Sequence, residues 1–242
     1  MPTSGTIGEV KDIVREHFTR TQFPTAQLDQ ALAEGRRIIE NFANFWWMRG
    51  RKDFALTIGT GSYSITGAAL NIPLFKDAIA FTFTTDGGSN YEPVPIGTME
   101  REDAEVLYTD SQDGSPELVI VSDETLLIYP EDPDDEYDCR FYHWSYTENP
   151  QLNSASDVLT KRFPMALAYA AITWGYEMVL KEFQGASYFR NLLGGNPFGR
   201  GGELIKLKQV NYKRGLPDDL QFIPHAGPGW NRRRLDNVQI YR

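Results

Sequence analysis

From Leu28 onward the apolar positions repeat with a helical period: Leu28, Leu32, Gly35, Ile38, Ile39, Phe42, Phe45 and Trp46 fall on one stripe. The stripe ends in an aromatic knot, Phe42-Ala-Asn-Phe45-Trp46-Trp47, and there the period changes. Phe54-Ala-Leu56-Thr-Ile58 alternates like a strand, Gly59-Thr-Gly61 turns, and Tyr63-Ser-Ile65 alternates back, which predicts a hairpin. Arg49, Arg51 and Lys52 suit the C-terminal end of a helix dipole, so the helix is expected to reach the knot near Trp47. No second strongly periodic helix begins before about Val158. The pattern predicts a helical scaffold opened at the knot, filled with β structure from Asp53 to about Tyr146, and closed again. Such an arrangement favours an assembly protein over an enzyme.

The remaining elements fit around that frame. A first helix is predicted from Ile7 to Phe18, and the second starts with Thr25 as N-cap behind Pro24. Further hairpin turns are expected at Asp86-Gly87-Gly88 and Ser122-Asp123-Glu124. The flanking strands are Ala80 to Thr84, Leu118 to Val121, Leu126 to Tyr129, and Tyr137 to Tyr146. A short helix from Met99 to Leu107 behind Thr98 interrupts them, with Glu100, Glu102 and Asp103 in its first turn. From Phe163 to Phe183 the chain is apolar on nearly every side, which predicts the most buried helix, with Pro164 at its first turn or at a break from a shorter one. A helix from Ser187 to Leu193, a glycine-rich loop over 194–202 and a last helix from Glu203 to Lys213 follow. Beyond Gly215 no helical period survives, yet Phe222, Ile223, Trp230, Leu235, Val238, Ile240 and Tyr241 are anchors that free linkers lack. The fold class is α+β: an antiparallel helical bundle from 1–52 and 151–215, an inserted β-rich domain of hairpin or sandwich type over 53–150, and an extended C-terminal arm over 216–242.

Charge divides this picture further. Thr84 to Arg140 holds 17 acidic and 2 basic residues, whereas Arg200 to Arg242 holds 9 basic and 4 acidic. An acidic middle and a basic tail imply two surfaces with different partners, and a net charge of −9 argues against a sequence-reading nucleic-acid binder. With 41% hydrophobic residues the 242-residue chain can fill a substantial core. Aromatic residues, at 13%, are also the type that interfaces favour. Cys139, the single cysteine, excludes an intramolecular disulfide and reads as a small buried hydrophobe in a strand. The N-terminal residues carry no signal-like run and the longest apolar stretch is too short to span a bilayer, so a soluble protein of a reducing cytoplasm is expected.

Candidate chemistry is sparse. His17, His143 and His225 are isolated, with no second ligand or base at motif spacing. The glycine-rich loop lacks a preceding strand and a Lys-Ser/Thr ending, so it is read as a plain loop rather than a phosphate cradle. The run Glu131-Asp132-Pro133-Asp134-Asp135-Glu136-Tyr137-Asp138 offers hard oxygen ligands, but without the glycine and distal glutamate of a calcium loop it reads as a solvated turn. Neither a cofactor nor a metal is expected. Arg232-Arg233-Arg234 beside Trp230 could contact phosphates, and the flanking anchors favour instead a peptide arm docking on an acidic groove.

In their order, these segments resemble the head-to-tail adaptor (connector) proteins of tailed phages. An N-terminal helix ending in aromatic and basic residues is matched by Phe42 to Arg51, and a strand pair by Tyr63-Ser-Ile65-Thr66. A proline-ended strand is matched by Leu126-Leu-Ile128-Tyr-Pro130, an aromatic strand by Phe141-Tyr-His-Trp144-Ser-Tyr146, and a helix by Phe163-Pro-Met-Ala-Leu167-Ala-Tyr169-Ala-Ala171. The resemblance spans about residues 5 to 210 and implies a structural, non-enzymatic subunit of a homo-oligomeric ring, usually dodecameric. That ring lies beneath the portal protein and joins it to a tail or nozzle protein. It would continue the channel through which genomic DNA passes non-specifically, in a virion assembled in the host cytoplasm without a membrane partner. The resemblance further implies a portal-docking arm, here carrying Phe222, Ile223, Trp230, Arg232, Arg233, Arg234, Leu235, Ile240 and Tyr241. Phe45, Trp46, Trp47, Trp174 and Tyr176 are the expected subunit or core packing residues. The glycine-rich loop and the length of the tail depart from the simplest members. The alternatives are a tail-completion or head-closure subunit, or a carbohydrate- or calcium-binding β module; a carboxylate hydrolase has the least support.

Overall fold

A computed structural model describes residues 5–18, 24–88, 90–97, 103–105, 108, 113–149, 152–194 and 202–213. It is a mixed α+β chain whose described residues divide into two compact units, one within 5–47 and 147–213, the other within 48–146. The sequence segments expected around Met99–Leu107, the loop over 195–201 and the arm over 216–242 lie wholly or largely outside the described residues.

The first unit holds the helices α1 (Ile7–His17), α2 (Thr25–Phe42), α3 (Val158–Arg162), α4 (Pro164–Trp174), α5 (Phe183–Gly194) and α6 (Glu203–Lys213). Thr6 caps α1 by accepting from the Glu9 amide at 3.4 Å, while Glu9 Oε2 accepts from the Gly5 amide at 3.0 Å. Thr25 is the first helical residue of α2 rather than its cap; Pro24 holds the extended cap conformation with no side-chain hydrogen bond. α4 is the centre of the unit, with α1, α2, α3 and α5 all packing on it. Its alanines make this possible: Ala166, Ala168, Ala170 and Ala171 are fully buried, and small side chains let neighbouring backbones come close. Gly35 of α2 completes the fit, because a Cβ there would stand 2.7 Å from the Ala171 nitrogen.

Other helix boundaries also differ from the sequence expectation: α5 begins at Phe183 rather than Ser187, and two helix ends lie elsewhere. α2 stops at Phe42, Ala43 is extended, and only Trp46–Met48 resumes as a 3-10 turn. The reason is Asn211 of α6, which gives the backbone other partners: its Nδ2 donates to the Asn44 carbonyl at 2.9 Å and its Oδ1 accepts from the Trp46 amide at 3.2 Å. Arg49, Arg51 and Lys52 therefore lie in a strand and not at a helix end. The long apolar helix expected from Phe163 to Phe183 is also divided. After Trp174 the chain widens into a π-helical segment, Gly175–Leu180, which ends at Lys181 in the left-handed conformation (φ 56°).

The second unit contains two four-stranded sheets. One has the order β1 (Arg49–Ala55), β8 (Asp138–Ser145), β3 (Phe75–Thr84), β4 (Glu92–Val94); the other has β2 (Ser62–Ser64), β7 (Thr125–Tyr129), β6 (Leu118–Ser122), β5 (Ile96–Gly97). The turns at 86–88 and 122–124 do join paired strands, β3 with β4 and β6 with β7. The turn at 59–61 does not: β1 pairs with β8 and β2 with β7, so the expected first hairpin is a crossing between sheets. Gly61 marks it, since its carbonyl accepts from the Ile128 amide at 2.7 Å and a Cβ would meet Glu131 backbone at 2.6 Å. Leu56, Ile65, Phe81, Phe83, Val119, Leu126, Ile128 and Phe141 form the apolar core shared by the two sheets. Leu118, Ile120, Leu127 and Tyr129 bury the opposite face of the second sheet with Ala104, which explains why β6 and β7 read as unbroken apolar runs.

Gly35 gives a test of this packing. Gly35→Ala should raise helix propensity by about 1 kcal/mol, but the clash with α4 should outweigh it and lower the unfolding free energy by about 1–3 kcal/mol. Urea denaturation of the two proteins decides the sign; a more stable variant would mean that α2 and α4 do not touch there.

Candidate functional site

The helical unit is closed by a buried polar network that the apolar stripe conceals. Leu28, Leu32, Arg36 and Glu40 follow one another at a spacing of i, i+4, so the buried face of α2 ends in two charges. Arg36 is 2% exposed and Glu40 is fully buried. Arg36 pairs with Asp157 and donates to Thr147 Oγ1 at 2.9 Å. The Thr147 hydroxyl in turn donates to Glu40, which also accepts from the Thr147 amide at 3.1 Å. Asp157 is the N-cap of α3, in a reciprocal capping box with Thr160. Three segments distant in sequence thus meet on one hydrogen-bonded chain. The opposite charges on an apolar stripe were the only sequence signal for it.

The aromatic knot is the second feature. Phe45 is fully buried and stacks on Trp47 at 4.4 Å with an interplanar angle of 2°. Trp46 meets Trp47 edge-on at 4.6 Å, and Phe163 lies 6.4 Å from both indoles. Trp46, Trp47, Trp174 and Tyr176 are half-buried. Tyr176 stacks on Phe189 at 5.8 Å and meets Phe18 at 4.9 Å, so the π-helical segment is held by rings from α5 and from the end of α1. The structure brings Phe45, Trp46 and Trp47 together, ends α4 at Trp174 and places Tyr176 in the π-helical segment that follows. The arm residues named above lie outside the described residues.

Beside this segment an open groove of about 530 Å³ runs between α1, α4 and α5. Ile13, Met165, Tyr169, Phe189 and Leu192 form its apolar lining and Tyr188 stands at one wall. Glu9, Asp12 and Glu16, at i, i+3 and i+7 of α1, give it an acidic rim. Tyr188 is 61% exposed, and Met178 and Phe183 of the same unit are 63% and 72% exposed.

Titratable groups elsewhere serve the fold. Burial pushes the Cys139 thiol up to about 12, aided by the Asp138 charge, so it stays protonated. Burial also pushes Tyr137 up to about 12, and its hydroxyl donates to Asp134 at 2.5 Å, which ties the acidic turn to the core. His143 is buried against Phe141 and Phe75, and desolvation lowers its pKa from 6.5. Among the described residues no three His, Cys, Asp or Glu side chains converge to hold a metal ion, and no helix is long and apolar enough to cross a membrane.

A family model described as SU10 adaptor protein matches residues 5–195 of the chain. No curated protein matches it.

Arg36→Ala should cost about 1–3 kcal/mol, because it removes the guanidinium from the partly exposed Asp157 and from the Thr147 hydroxyl; Thr147→Val should cost about 1–3 kcal/mol by removing one donor from the buried Glu40 carboxylate. Denaturant titration measures both, and losses below about 0.5 kcal/mol would show the network to be inconsequential. His143 takes up its proton less readily in the fold than in the unfolded chain, so its contribution is complete above pH 6.5 and is lost as the pH falls below that value. Thermal melts should therefore show a smaller acid-side loss for His143→Phe than for the native chain.

Proposed function

The chain belongs to the SU10 adaptor protein family, and on that premise we propose that it is a structural, non-enzymatic subunit of a tailed-phage neck. Copies of it form a closed ring, dodecameric in this reading, that joins the portal protein to a tail or nozzle protein and continues the DNA channel in the virion. The observation that carries this is the family match over residues 5–195.

Physical arguments support the finer points. A head-to-tail interface repeated about an axis closes into a ring. The acidic stretch from Thr84 to Arg140, with Glu131, Asp132, Asp134, Asp135 and Glu136 exposed, suits a lumen wall that repels phosphate and lets duplex DNA slide. The helices of the first unit act as an antiparallel bundle that presents the exposed Met178 and Phe183 to neighbouring copies, with Phe45, Trp46, Trp47, Trp174 and Tyr176 packing behind or at that contact. The arm over 216–242 docks on the portal through Phe222, Ile223, Trp230, Arg232, Arg233, Arg234, Leu235, Ile240 and Tyr241, its affinity multiplied by the number of copies in the ring.

Deletion of residues 216–242 should leave the circular-dichroism spectrum and melting of the folded units unchanged and abolish co-sedimentation with the portal. A truncated protein that still co-assembles would refute the role given to the arm.

A further inference from the structure

The groove between α1, α4 and α5 has a chemistry that this chain itself can satisfy. Its lining is aromatic and aliphatic, and its rim is a carboxylate row on one face of α1. Glu9 gives one oxygen to the Gly5 amide, while Asp12 and Glu16 are exposed. The nearest cation on the same helix, Arg15, meets Asp12 only at 3.5 Å in an exposed pair, which a better-placed guanidinium can displace. His17 touches the lining edge-on through Phe189 at 4.9 Å and adds aromatic surface. A polyanion would be repelled here; the fitting ligand is an extended peptide with an aromatic or aliphatic anchor next to arginines.

The C-terminal arm contains that sequence. Trp230-Asn-Arg-Arg-Arg-Leu235 places an indole and a leucine on either side of three guanidiniums. Arginine is the residue that pairs with carboxylates in a fixed fork and also stacks on tyrosine rings. A groove of about 530 Å³ is of the size that takes one large anchor and its neighbours. Reach is not a constraint: the stretch from Lys213 to Trp230 can extend to about 55–60 Å, several times the radius of gyration of about 13 Å for a unit of this size.

We propose that the α1–α4–α5 groove is the seat of this chain's own arm segment Trp230–Leu235 before the portal is met. The arm lies there in its own subunit or in a neighbouring copy, with Trp230 or Leu235 on the Phe189 and Tyr169 rings and the arginines on Asp12 and Glu16. This deepens the docking role of the arm and rests on that reading for what releases it. A covered arm keeps its anchors out of water and out of unwanted contacts, and a partner that offers more area takes it over.

The test uses the full chain with Tyr188→p-benzoylphenylalanine, irradiated and mapped by mass spectrometry. A second protein, with the same photoreactive group at the exposed Leu152, serves as the control. The expected result is a cross-link from position 188 to residues 228–238, absent from the control. It should fall at least about fivefold in 0.5 M NaCl and in the Asp12→Asn, Glu16→Gln double variant. Mixing isotope-labelled and unlabelled chains tells whether the seat lies in the same subunit or in a neighbour. No cross-link to the arm, or one indifferent to salt and to the two carboxylates, overturns the proposal. Co-sedimentation with the portal is scored on the same samples. Portal binding without the cross-link removes the seat alone, and the cross-link without portal binding removes the portal role alone.

Discussion

A pair of buried charges sets the terms for the helical unit. Arg36 and Glu40 project from the last two turns of α2 into the buried interior of the unit, a costly placement unless each charge meets a partner. The partners come from elsewhere in the chain: Thr147, where the polypeptide returns from the β unit, and Asp157, which caps α3. Only when α2, the returning segment and α3 are all in place do both terminal nitrogens of Arg36 and the Glu40 carboxylate have these partners. An apolar contact would tolerate sliding by a residue; a relay from Asp157 to Arg36 to the Thr147 hydroxyl to Glu40 does not. The network thus fixes where the second half of the helical unit docks on the first, and α4, which follows α3 directly, inherits its position against Gly35.

The β unit meets the matching requirement in its own way. A segment inserted into another unit must begin and end close together. Its first strand, β1, pairs with its last, β8, and Arg49 stands opposite Trp144 in that register. Both ends of the insertion are therefore on adjacent strands, and the chain between them is free to cross to the second sheet at Gly61 and come back. The core shared by the two sheets holds them together, so the strand pairs that define each sheet need not be neighbours in sequence.

Much of this was legible in the residues. The apolar periods gave the first two helices and the start of the buried one, local turn chemistry gave the β6–β7 and β3–β4 turns, and the strand pattern gave the burial of Cys139; the division after Trp174 and the start of α5 at Phe183 were not read. What escaped depended on distant partners. The end of α2 at Phe42 was invisible because Asn211, far along the chain, holds the backbone of Asn44 and Trp46. The pairing of β1 and β2 with strands near residues 125–145 could not be read from a Gly-Thr-Gly turn that looks like a hairpin. The buried charges of α2 look like solvated ones until Thr147 and Asp157 are set beside them. The acidic row on α1 was readable as a helical face, but its aromatic lining comes from α4 and α5, and nothing in α1 announces it.

Each of the two units is closed by internal pairing, and in the proposed ring the exposed apolar residues of the helical unit, the acidic residues of the β unit and the basic arm are what remains to meet partners. The central claim is assembly into a ring. The most direct measurement is the native mass of the purified protein, alone and with the portal, read together with negative-stain images of the same samples. Closed rings of one size, either in the free protein or on the portal, are the predicted result. A monomer that remains a monomer in the presence of the portal would contradict it.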